Sequence, residues 1–146
     1  MVRPDLVREK ARRLAETLSL LRRVLPGEAA ALAADVDARD LVAFRVYLAV
    51  QQCIDLAAHI LADEGWGPAP SLREHFTILA AHGVVDEGSA NALSAAVKVR
   101  NLVGHAYVAV DPSKLHEAAR ELLPLAERFR EAVLRFADTA RAAPAS

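Results

Sequence analysis

Residues 4–25, PDLVREKARRLAETLSLLRRVL, carry the pattern that decides the fold. Val7, Ala11, Leu14, Leu18, Leu21 and Leu25 recur at alternating spacings of four and three, which places them on one side of an α-helix. The stripe predicts a helix from about Pro4 to Val24, ended by Pro26-Gly27. The same repeat returns near the carboxyl end: Leu115, Ala119, Leu122, Ala126, Phe129, Val133, Phe136 and Ala140. Asp111-Pro112 opens that last helix as an N-cap followed by proline at the first helical position. Pro124 falls inside it and is expected to kink or split it.

Between these two stripes the chain alternates helix and break. A second helix begins after Asp37 or Asp40 and runs to about Glu64, with Val42, Val46, Ala49, Cys53, Ala57 and Ile60 as its buried stripe. Gly65-Trp66-Gly67-Pro68-Ala69-Pro70 is a turn-rich interruption. Ser71-Leu72-Arg73-Glu74 has capping-box spacing and opens a short helix that stops at His82-Gly83. A fourth helix starts near Asp86 or Ser89 and reaches at least Val103. Composition agrees with an all-α reading: of 146 residues, 31 are alanine, seven are aromatic and only six are glycine. The expectation is a single domain, residues 1–146, folded as a four- to five-helix, mostly antiparallel bundle with a frayed tail at 142–146. Two stripes at heptad-like spacing exceed what a small bundle needs internally, so a homodimer is also expected.

Composition excludes several classes of function. Eighteen basic against nineteen acidic residues give a net charge of −1, which argues against binding polyanions over the whole surface. The charge is uneven, with residues 1–25 at +4 and residues 26–66 at −5, so the first helix is a candidate for attracting phosphate or an acidic partner. A single cysteine, Cys53, rules out an intramolecular disulfide. No apolar run reaches the ~18–20 residues of a membrane span, and residues 3–10 lack the apolar core of a signal peptide. The expected setting is soluble and cytoplasmic.

Most catalytic templates are missing: no phosphate-binding glycine loop, no cysteine pair for zinc, no serine elbow. Asp55 and His59 lie four apart but lack further ligands, so no metal is expected. Arg45, Gln52, Asp55 and His59 share a helical face, read either as a solvated stripe or as the lining of a cleft. The informative segment is Arg100-Asn101-Leu102-Val103-Gly104-His105-Ala106-Tyr107. Arg100 follows Leu93 and Val97 on one face, an awkward place for a permanent charge unless it serves a site. If the helix continues, Asn101 and His105 stack at i, i+4; if Gly104 ends it, His105 and Tyr107 project from one side of an extended link. Either geometry gathers a guanidinium, an imidazole and a phenol near a helix end. An arginine braces a phosphate, and a histidine moves protons near neutrality.

The same segment resembles the R-x-x-x-x-H-x-Y signature of the HepT-like toxins, a branch of the HEPN superfamily. Tyr47-Leu48 and Cys53 through Ile60 resemble the family's second helix. Pro70 through Phe76, with Leu79 and Gly83-Val84-Val85, resembles its middle section. Val110-Asp111 with Lys114-Leu115 resembles the exit into its last helix. The likeness covers about residues 40–123, in the family's order.

The resemblance implies a HEPN-like, homodimeric all-α bundle acting as a metal-independent endoribonuclease without a cofactor. His105 would exchange protons with the ribose 2′-hydroxyl and the leaving 5′-oxygen. Arg100 would hold the scissile phosphate, Asn101 would orient phosphate or His105, and Asp55 would take a supporting role. Tyr107 matches the tyrosine that receives AMP from an MntA-type nucleotidyltransferase antitoxin, a bulky anionic adduct beside His105 that repels RNA. The other reading is a catalytically weak HEPN-type module that binds nucleotide or RNA and docks a nucleotidyltransferase. Gly104 and Pro124 depart from the family pattern, and Gly104 is expected to loosen His105.

Overall fold

The computed structural model describes residues 1–142, with side chains described through residue 140. The tail expected to fray, 142–146, lies outside this range except for the backbone of Ala142. Six α-helices appear among the described residues: α1 (Pro4–Val24), α2 (Ala29–Ala34), α3 (Val36–Glu64), α4 (Glu74–Ala81), α5 (Glu87–Ala106) and α6 (Pro112–Ala142). A 3₁₀ turn at Tyr107–Ala109 follows α5. The architecture is an all-α bundle, with six helices in place of the expected four or five.

The bounds of α1 are those its stripe predicts, and Val7, Ala11, Leu14, Leu18 and Leu21 are all buried. The extra helix, α2, has the sequence AAALAA and buries only Leu32. Six residues cannot sustain a helix alone, so α2 depends on packing against its neighbours. Asp35 caps α3, its side chain accepting from the Ala38 amide at 3.1 Å, so α3 starts before the expected Asp37 or Asp40. At the other end Gly65 closes α3 at φ +73°, a left-handed conformation that suits glycine.

Asp86 caps α5, accepting from the Ser89 amide at 2.7 Å and from its hydroxyl at 2.8 Å. These bonds hold its carboxyl below the usual range. The Ser71 hydroxyl accepts from the Glu74 amide at 3.3 Å, so the capping signal is real, although α4 starts only at Glu74. Pro124 lies inside an unbroken α6, so the helix is not split.

End-to-end contacts set the directions. Arg3 meets Asp63, which makes α1 antiparallel to α3. Arg8 pairs with Asp138 and Arg22 with Glu127, which makes α1 antiparallel to α6. Helices α3 and α5 also run antiparallel, since Arg100 reaches Gln51 while Tyr107 reaches Asp40. Phe76 of α4 meets Phe129 of α6 edge-on, ring centroids 5.7 Å apart, in the middle of the core.

Two expectations change at this level. Helix α3 is long and apolar enough to cross a membrane by length and composition alone, with mean hydropathy 1.4 over its most apolar window. Half of that window is buried inside the bundle, where α3 is the central helix. The heptad-like stripes of α1 and α6 face this same core, where most of their residues are buried, so their spacing is accounted for within one chain. The exposed large apolar residues among the described residues lie elsewhere, at Met1, Val36, Leu41, Phe44, Leu72, Leu102 and Val108.

Candidate active site

Helix α5 continues through Gly104 to Ala106, which settles the two geometries left open by the sequence. On a continuous helix Asn101 and His105 lie about 40° apart and share a face, whereas Arg100 and His105 diverge by about 140°. Arg100 and Gly104 share the other face, which meets α3. The chain therefore turns Arg100 inward against α3 and leaves His105 exposed.

Arg100 is partly buried and held by neutral acceptors. Its Nη2 donates to Gln51 Oε1 at 2.6 Å and to Tyr47 Oη at 3.2 Å. Its Nη1 donates to Asn101 Oδ1 at 2.7 Å. The guanidinium carbon stands 4.8 Å from the centroid of the Tyr47 ring, a cation–π contact. Arg100 Nε is buried and unpaired. Gln51 Nε2 in turn donates to Asp55 Oδ1 at 2.9 Å, so the exposed Asp55 reaches Arg100 only through an amide. Asn101 joins the two faces of α5, bonded to Arg100 and sharing the side of His105.

Gly104 has a different role from the one expected of it. A Cβ built at Gly104 would lie 3.0 Å from Cε2 of Tyr47. The glycine thus admits the Tyr47 ring to the helix surface between itself and Arg100, while the helix leaves α geometry only after His105, at Ala106 (φ −147°, ψ 45°).

Tyr107 sits in the 3₁₀ turn, and its hydroxyl donates to Asp40 Oδ1 on α3. Partial burial raises its pKa above the ordinary phenol value, the Asp40 contact adds to the rise, and Arg39 opposes it. Tyr107 therefore stays a protonated phenol, bonded toward the start of α3.

The face proposed for Arg45, Gln52, Asp55 and His59 divides. Asp55 turns to Gln51, while His59 Nε2 lies 3.1 Å from Asp63 and 3.3 Å from Arg3 Nη2. Arg45 Nε and Gln52 Oε1 are buried without partners. Among the described residues no group of three or more His, Cys, Asp or Glu side chains is placed to hold a metal. Within α1, Arg8, Arg12 and Arg13 pair with Asp5, Glu9 and Glu16, and residues 1–25 keep their net balance of +4.

Sequence reasoning missed Tyr47, Gln51 and Asp40. All three lie on α3, and the run Asp40, Phe44, Tyr47, Gln51, Asp55 at helical spacing was the available signal. An apolar groove of about 440 Å³ between α3, α5 and α6, lined by Val46, Val50, Val99 and Leu125 among others, includes none of the site residues.

Comparison with known proteins agrees with the all-α fold. The family described as Ribonuclease HepT-like matches residues 14–133. No curated protein matches the chain. A toxin–antitoxin crystal structure with AMP-PNP superposes with TM-score 0.81 at 22% identity, covering 88% of this chain and 97% of that one. A tri-AMPylated HEPN toxin from Shewanella oneidensis, in complex with MNT antitoxin, gives TM-score 0.81 at 22% identity over 88% and 96% of the two chains. YutE of Bacillus subtilis, a cytosolic protein of unknown function, gives 0.81 at 14% identity over 99% and 96%. These structures share the HEPN-like fold, and the sequence match spans most of the chain: it belongs to the HepT-like ribonuclease family.

Proposed function

We propose that this protein is an endoribonuclease toxin that cleaves RNA without a metal and is neutralised by AMP transfer to Tyr107. The observation that carries the reading is Arg100, partly buried yet bound only by neutral oxygens, on the same helical turn as Asn101 and just before the exposed His105. In this chemistry His105 takes the proton of the ribose 2′-hydroxyl as its oxygen attacks phosphorus. The bond from phosphorus to the 5′-oxygen breaks, and the leaving oxygen takes the proton from the His105 imidazolium, giving a 2′,3′-cyclic phosphate, a free 5′-hydroxyl and neutral His105. Arg100 grips the phosphate and offsets its growing charge, Asn101 orients the groups, and Asp55 supports through Gln51.

Because Arg100 and His105 diverge on one chain, the reading includes a homodimer whose two motifs face one cleft. Phe44 and Leu102, 53% and 46% exposed beside the site, supply apolar surface for that contact. The likeness to toxins solved with MNT antitoxin supports the regulatory part of the reading. A nucleotidyltransferase partner would transfer AMP from ATP to the Tyr107 oxygen, and the adduct would place negative charge two residues from His105.

The same divergence favours a second reading if the chain stays monomeric: an HEPN-type module that binds nucleotide or RNA and docks a nucleotidyltransferase without cutting. Cleavage by unmodified protein in chelator, beside His105→Ala, separates the two. Mass spectrometry of Tyr107 confirms the unmodified state. Products ending in cyclic phosphate, absent with His105→Ala, establish the nuclease; a folded, unmodified dimer that cuts no RNA overturns it.

A further inference from the structure

We propose that Tyr47 and Gln51 are positioning residues for Arg100, and that Gly104 is the position that admits Tyr47. The proposal rests on the ribonuclease reading and adds a specific requirement to it: Arg100 must be held without being neutralised.

A guanidinium offers its N–H groups as a planar fork, and a phosphate is gripped best by two parallel bonds from that fork. A carboxylate in direct contact would fix the fork equally well, but would offset its charge and compete with the phosphate for the same donors. Among the described residues no carboxylate lies within ion-pair distance of Arg100. The acceptors on its Nη atoms are instead the Tyr47 hydroxyl and two amide oxygens, those of Gln51 and Asn101. Gln51 is the critical case. Its oxygen takes Arg100 Nη2 at 2.6 Å while its nitrogen gives to Asp55 Oδ1 at 2.9 Å. The amide is thereby fixed in one orientation, and the carboxylate is kept one residue away from the guanidinium.

Tyr47 supplies the other wall. Its ring face lies against the guanidinium, and its edge lies where a Cβ at Gly104 would come within 3.0 Å. A methyl at position 104 makes the Tyr47 ring give by a few tenths of an ångström, and the guanidinium stacked on that ring follows it. This gives the unexpected glycine, the arginine four residues before it and a tyrosine on another helix one shared geometry.

The test uses Gln51→Glu, which keeps the shape and puts a carboxylate on Arg100. Binding of an uncleavable 2′-deoxy oligonucleotide is expected to weaken about tenfold or more, the size of one charge-assisted hydrogen bond. RNA cleavage falls with it, while the melting temperature holds or rises. In an Arg100→Ala background the same change has no further effect. Tyr47→Phe, which keeps the ring, retains most cleavage; Tyr47→Leu and Gly104→Ala lose it with helicity unchanged. A second readout does not need activity: the Arg100 Nε–H resonance, shifted by the Tyr47 ring current, returns toward its ordinary position in Tyr47→Leu.

Wild-type cleavage that persists in Gln51→Glu, with oligonucleotide binding unchanged, overturns this proposal and leaves the nuclease reading standing. A wild-type protein that cuts no RNA, yet shows the Tyr47-dependent Arg100 shift, overturns both, since the contacts are then purely structural. An Arg100 resonance insensitive to Tyr47 overturns the proposal on geometry alone.

Discussion

Asp63 ties the amino terminus to the end of α3. Arg3 donates to it through Nε and Nη2, both at 3.1 Å, and His59 approaches it at 3.1 Å. The Arg3 bond is the chief reason that the Asp63 carboxyl titrates below its ordinary range. Burial is the chief reason that His59 titrates below its own, with Arg3 and Lys10 adding to the effect and Asp63 opposing it. Both shifts have the same sign for stability. A carboxylate with a lowered folded pKa stabilises above its unfolded value and loses that contribution as pH falls through the folded one. An imidazole with a lowered folded pKa favours the neutral form, so its contribution is also lost on acidification. Melting temperature is therefore expected to fall first below pH ~6.5 and again below pH ~4, with His59→Gln removing the first step and Asp63→Asn weakening the second. Parallel curves for the three proteins would refute this. Tyr107 carries the opposite sign: its raised pKa keeps the phenol protonated, and its bond to Asp40 is lost only as pH rises through that value. Asp40→Asn is expected to lower the phenol's titration, read as phenolate absorbance against Tyr107→Phe; an unchanged curve would remove Asp40 from the account. At this scale the sequence assigned a site role to Arg100, Asn101, His105 and Tyr107, but none to Tyr47, Gln51 or Asp40. Those three gain meaning only from a second helix, because each is an ordinary polar or aromatic residue until α5 lies against it.

At the scale of the element, the start of α3 shows how local signals compete. Asp35, Asp37 and Asp40 are all good caps, and Asp35 takes the role because α3 begins at Val36, directly after α2. Asp35→Ala is expected to cost about 1 kcal/mol, read from the urea midpoint, whereas Asp37→Ala should cost much less. Helix α2 could not be read from periodicity at all: five alanines and one leucine make no stripe, and only its neighbours fix Leu32 in the core. Pro124 is the reverse case, a strong local signal overruled by its surroundings. Its ring has no N–H to bond the Arg120 carbonyl, yet α6 continues because its stripe on either side is buried. Pro124→Ala is expected to recover part of the ~3 kcal/mol an interior proline costs a helix and to raise the urea midpoint. A lower midpoint would mean that the ring's own packing outweighs the missing bond.

For the whole molecule, the decisive prediction concerns two chains. Mixing Arg100→Ala protein with His105→Ala protein, each inactive alone, is expected to restore RNA cleavage if one cleft takes a residue from each subunit. Phe44→Glu should shift the sedimentation coefficient to that of a monomer and abolish the restored activity. A mixture that stays silent beside an active wild type would place each site within a single chain. The sequence by itself determined the helical class, the bounds of α1 and the cap at Asp111, narrowed the start of α5 to Asp86 or Ser89, and singled out the segment Arg100–Tyr107. Periodicity, capping and turn residues act over a few neighbouring positions, so one chain of letters contains them. Tertiary structure alone decided that α5 runs through Gly104, that Tyr47 fills the space beside it, and that Arg100 is held by neutral acceptors while His105 stays in solvent. The physical reason is that these outcomes depend on how closely α3 and α5 approach, and that distance is set by the packing of the entire core.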